Sequence, residues 1–116
     1  GIISIFPIIP ELTENTPAFH KNIRIEGNQF NPFDYPVLFA RSVNGISFRN
    51  NTITRSYQFT PYHNRLYTFT FENCDNVSLS GNQFSEDLLG KNILLKNTEK
   101  SELKTDLENT FQFEEF

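Results

Sequence analysis

Short runs of alternating apolar and polar residues recur along this chain. In 21-KNIRIEGNQF-30, 44-NGISFRNNTI-53 and 75-DNVSLSGNQF-84 the apolar positions are Ile23/Ile25, Ile46/Phe48 and Val77/Leu79, with polar residues between them. A period of two places one side of an extended segment in a core and the other in solvent, so each run predicts a half-buried strand. Gly-Asn or Asn-Asn follows each run, and an apolar residue (Phe30, Ile53, Phe84) stands two positions beyond the second Asn. Gly and Asn accept the positive φ that tight bends require. A fourth, weaker copy is read in 91-KNILLKNTEK-100.

The copies are spaced as a solenoid would space them. Asn28 and Asn51 are 23 residues apart, Asn51 and Asn82 are 31 apart, and coils of ~20–30 residues are the range of stacked repeats. A second strand family keeps the same step, because 36-PVLFARSVNG-45 aligns with 67-YTFTFENCDN-76 at a shift of 31. Each coil therefore reads as strand, corner, strand, Asn bend and short strand. Stacking would superpose Asn28, Asn51 and Asn82, whose amides can hydrogen-bond along the column. The predicted fold is all-β: a right-handed single-stranded parallel β-helix of about three to four coils over residues 1–97, the C-terminal end of a larger domain. The competing fold, an antiparallel sandwich with chance similarity between strands, does not explain one Asn-containing phrase used three times.

The ends of the chain read differently. In 2-IISIFPIIPEL-12, Pro7 and Pro10 break an apolar run, which suits an entry strand at an open edge. Such an edge invites pairing with another chain, so end-to-end self-association is expected. Residues 98–116 form a charged, Phe-containing tail. Leu103 and Leu107 stand at i and i+4, which predicts a short polar helix within 99–109, and Phe111, Phe113 and Phe116 suit a cap over the last coil. A disordered tail is the alternative.

Composition narrows the function classes. The 116 residues include 10 Lys+Arg against 14 Asp+Glu, with no basic cluster of the kind nucleic acid requires. No run approaches the ~20 apolar residues of a membrane span. The chain opens Gly1-Ile2-Ile3 and contains no Met, so it reads as a piece of a longer protein whose signal segment would lie elsewhere. Cys74 is the one cysteine, which leaves no disulfide framework and reads as a small buried hydrophobe. His20 and His63 lie 43 positions apart without Cys spacing, so neither a metal site nor a cofactor is expected.

Candidate chemistry is sparse. The insertion that lengthens the second step falls in 54-TRSYQFTPYHNR-65, and insertions project from one face of a solenoid. It carries Arg55, Tyr57, Tyr62, His63 and Arg65, aromatic faces and cationic donors suited to a sugar, with Arg41 nearby in the repeat. A plain solvated loop is the competing reading. Asp34, Glu72, Asp75 and Asp87 are acids on or near the coils, and glycosidic hydrolysis uses two carboxylates. Nothing in the sequence singles out a pair, so no catalytic residue is assigned.

The run 21-KNIRIEGNQFNPFDYPVLFARSVNGISFRNNTI-53, followed by 68-TFTFENCDNVSLSGNQF-84, resembles the C-terminal coils of bacterial glycoside hydrolase family 110, the α-1,3-galactosidases. The likeness covers roughly residues 2–97. It implies a parallel β-helix in a secreted or periplasmic enzyme that removes terminal α-1,3-linked galactose with inversion, without a metal. It also implies catalytic acids on earlier coils, so that residues matched here are scaffold and this chain alone is inactive. Two other readings stand beside it. One is another β-helix carbohydrate-active enzyme, such as a polysaccharide lyase. The other is a non-catalytic β-helix for glycan binding or surface attachment.

Overall fold

A computed structural model of the chain describes residues 2–5, 20–32, 35–57 and 67–116. The first coil supplies strands β1 (Ile3–Ile5), β2 (His20–Glu26) and β3 (Gln29–Phe30). The second supplies β4 (Leu38–Arg41), β5 (Val43–Arg49) and β6 (Thr52–Ile53), and the third β7 (Phe69–Glu72), β8 (Asp75–Ser80) and β9 (Gln83–Phe84). After these come β10 (Asn92–Lys96), a single 3₁₀ turn at Lys100–Glu102, β11 (Leu103–Thr105) and β12 (Gln112–Glu115). Every strand pair is parallel, and the strands form three sheets in the orders β1-β4-β7-β10-β12, β2-β5-β8-β11 and β3-β6-β9. This is the stacking of a parallel β-helix, all-β with each strand resting on the same strand of the previous coil.

The register shows why these residues form these strands. Ile23, Ile46, Val77 and Leu103 lie in one row, and Leu38, Phe69, Ile93 and Phe113 in another. Rows of like apolar residues stack inward, so each coil covers the apolar face its neighbours cannot bury alone. Phenylalanines run through the interior: Phe48 lies edge-on to Phe69 at 5.2 Å between centroids, Phe69 edge-on to Phe84 at 6.2 Å, and Phe84 meets Phe111 at 4.9 Å. Offset and edge-to-face contacts of this kind add to the area they bury.

Three columns of left-handed backbone mark the bends. Gly27, Asn50 and Gly81 form one, Asn22, Gly45 and Asn76 a second inside the long strands, and Ser42, Asn73 and Asn97 a third at the corner between two sheets; all nine have positive φ. Only Gly and short polar side chains adopt that region without steric cost, and so these residues recur at those corners.

Two expectations are corrected. The segment 91-KNILLKNTEK-100 is not a fourth copy of the Asn-bend strand: β10 pairs with β7, Ile93 opposite Phe69, and so belongs to the other sheet. The helix expected within 99–109 does not form. A single 3₁₀ turn leads into β11, which stacks on β8 with Leu103 opposite Val77, and β12 stacks on β10. Leu103, Leu107 and Phe111 are buried, while Phe116 is 69% exposed. A helix there would have left the backbone groups of the β8 edge unpaired, and pairing satisfies them.

Candidate functional site

At the end of β6 the chain leaves the core and runs along the surface as Thr54–Tyr57. Backbone bonds tie this segment backwards to the first coil, where Thr54 N–H donates to Phe30 O at 2.9 Å and Ser56 N–H to Pro32 O at 2.9 Å. Arg55 ties it forwards. Its N–H donates to Ser85 Oγ at 3.0 Å, and its Nη1 donates to Asp87 O at 3.4 Å. The guanidinium lies 4.6 Å from the centroid of the Tyr57 ring, a cation–π arrangement that holds the ring in place. Tyr57 is 69% exposed and so offers an aromatic face to solvent.

Beneath this patch lies Tyr35, 2% exposed. Its hydroxyl sits close to the Leu89 backbone, without a complete hydrogen bond. Burial raises its pKa, and the Arg55 charge partly offsets the rise. Arg55 and Tyr57 of the sugar-facing set are thus adjacent. Tyr62, His63 and Arg65 lie outside the described residues.

The acids are dispersed. Glu72 stands between Arg41 and Lys96, each 3.7 Å away in one row across three coils. Both partners engage it as part of a charge row along the stack. Asp75 and Asp87 are exposed, and Asp34 lies outside the described residues. Among the described residues no three His, Cys, Asp or Glu side chains gather as metal ligands would. Cys74 is 1% exposed; burial pushes its thiol up to about 11, which keeps it protonated and unreactive. His20 stands opposite Val43, with its Nε2 buried and unpartnered.

The Asn column is continuous. Asn28 N–H and Nδ2 donate to Asn51 Oδ1 at 2.9 and 3.2 Å, and Asn51 N–H and Nδ2 donate to Asn82 Oδ1 at the same two distances. Asn51 Nδ2 also donates back to Ile25 O, and Asn82 Nδ2 to Phe48 O. At the C-terminal end of this column is a cleft of about 280 Å³ that includes Lys91, Asp106 and Thr110. Reasoning from the sequence missed it, because those residues fall in three segments that only the coil register brings together.

No family model matches the chain. It is 43% identical over 104 residues to α-1,3-galactosidase B of Bacteroides thetaiotaomicron, an alignment covering 90% of the chain and 17% of that protein. It is 37% identical over 105 residues to α-1,3-galactosidase A of Bacteroides fragilis, covering 90% of the chain and 17% of the relative. With α-1,3-galactosidase B of Parabacteroides distasonis the identity is 34% over 96 residues, covering 83% and 16%. The chain spans about a sixth of the length of these relatives. Along most of its length, then, this stack of Asn-bend coils is homologous to a segment of bacterial proteins named α-1,3-galactosidase.

Proposed function

We propose that the chain is a scaffold segment from the C-terminal end of a secreted glycoside hydrolase, one that releases terminal α-1,3-linked galactose with inversion of configuration. The observation that carries this reading is the 43% identity to an α-1,3-galactosidase B over 104 residues, 90% of the chain. The disposition of the acids agrees with it. Glu72 is held between two cations, and an inverting reaction needs an acid and a base about 6.5–9.5 Å apart with room for water. The proposal places that pair on coils outside this chain.

Within the reading, the ring of Tyr57 and the guanidinium of Arg55 supply a sugar-facing edge, to which Tyr62, His63 and Arg65 are assigned by their place in the same insertion. The exposed Tyr57 face also favours a second reading, a non-catalytic β-helix that binds glycans.

The test is galactose release from an α-1,3-linked galactobioside by the full-length parent, with this chain assayed alone. Release by the parent and none by the chain is expected. A Tyr57→Ala parent should then show a KM raised several-fold at little changed kcat. Release by the isolated chain would place the chemistry on its own acids and overturn the scaffold assignment. An inactive parent that still binds the disaccharide would favour the binding module.

A further inference from the structure

The Asn column has a direction, and its C-terminal end is unfilled. In each rung above, the backbone N–H and side-chain amide of one Asn converge on a single oxygen of the next. Extending the pairing of Leu79 with Thr105 by three residues brings Glu108, an exposed residue, to the position that the next Asn would hold. Asp106 replaces part of what is lost. Gly27 and Asn50 donate their N–H groups to backbone carbonyls of the following coil, whereas the Gly81 N–H donates to Asp106 Oδ2 at 3.0 Å. For Asn82 no such replacement is present. Among the described residues its N–H has no acceptor, and its Nδ2 donates only to Phe48 O.

We propose that the cleft at this point binds one pyranose ring of a neutral glycoside. The two Asn82 donors are arranged for one acceptor oxygen, at the geometry the column repeats above them. Asp106 has a carboxylate oxygen left to accept from a hydroxyl. Lys91, whose ammonium makes a single long contact of 3.4 Å to Glu86 O, has donors to spare, and Thr110 Oγ1 can serve either way. Phe84 and Phe111 supply an apolar floor. Alternating hydroxyls above a C–H face match that set. A carboxylate or phosphate would gain Lys91 but meet Asp106, so the opposite charges lining the cleft select a neutral ligand. The volume of about 280 Å³ is just below the ~300–1,000 Å³ typical of drug-sized ligands and fits a single ring. This site is separate from the Arg55–Tyr57 edge and does not depend on which bond the parent cleaves.

Nitrogen-15 NMR of the whole chain, titrated with methyl α-D-galactopyranoside, methyl α-D-glucopyranoside and sodium acetate, tests it. At least one glycoside should produce saturable shifts, largest at the Asn82 backbone and side-chain N–H signals. Lys91→Ala should weaken that binding at least five-fold while signals far from the cleft stay in place, and Lys21→Ala, an exposed change in the first coil, should leave it unchanged. Non-saturating shifts with both glycosides, equal shifts with acetate, or an undiminished affinity in Lys91→Ala would each overturn the proposal.

Discussion

Backbone handedness and burial decide most of what single residues do in this protein. Asn and Gly occupy eight of the nine described positions of positive φ in the three bend columns, because a side-chain amide compensates locally for a conformation that other side chains resist. The Gly27/Asn50/Gly81 column was legible as a phrase in the sequence. The other two were not, since Asn22/Gly45/Asn76 and Ser42/Asn73/Asn97 repeat a conformation and not a letter. Cys74 allows a residue-scale test. Its Sγ lies 3.4 Å from Ala40 O and 3.3 Å from Glu72 O, and its folded pKa of about 11 is above that of an exposed thiol, ~8.5. The stabilisation is therefore complete below pH ~8.5 and is lost as pH rises through 11. Urea midpoints measured from pH 7 to 11 should fall further for this chain than for Cys74→Ala, and parallel curves would show that the thiol is not linked to folding.

Among the elements, the Asn column behaves as a unit of its own. Asn51 is its centre, 1% exposed, accepting from Asn28 and donating to Ile25 O and Asn82 Oδ1. Asn51→Ala strands the Asn28 N–H and the Ile25 carbonyl in and beside the core, while Asn82 Oδ1 keeps the backbone N–H of residue 51. At ~1–3 kcal/mol for each buried unsatisfied group, less what water recovers at the column edge, the loss should be about 2–4 kcal/mol. Asn28→Ala, at the exposed end, should cost about 1 kcal/mol or less. Urea denaturation of the two variants decides this, and equal costs would mean that the column contributes no more than its individual bends. The strands around it obey the same logic: Phe69 touches Phe48, Phe71, Phe84 and Phe111, joining the second, third and last coils through one ring.

For the molecule as a whole, the two ends of the stack are chemically unlike. The last coil closes with charged strands, Lys104 in β11 and Glu114 and Glu115 in β12. The first coil presents β1, β2 and β3 as sheet edges, with Ile23, Ile25 and Phe30 only partly buried. Parallel edges unpaired among the described residues, beside incompletely covered apolar side chains, favour association through that end. Sedimentation velocity over a hundred-fold concentration range should show mass increasing with concentration for this chain, and a monomer throughout would mean that the first coil covers its own edge.

The alternation of apolar and polar residues and the thrice-repeated bend determined the strands, the inward faces and the superposition of Asn28, Asn51 and Asn82, because period-two burial and left-handed bends are local demands written in consecutive residues. The fate of 91–116 was decided by tertiary structure. Leu103 and Leu107 satisfy helical spacing, yet the open edge of β8 offered backbone partners and an apolar row into which Leu103 fits, and pairing prevailed over spacing. The same stacking set Arg55 against Asp87 and gathered Asn82, Lys91 and Asp106 around one cleft. Those neighbours come from different coils, and only the register of the stack, a property of paired backbones, determines which of them meet.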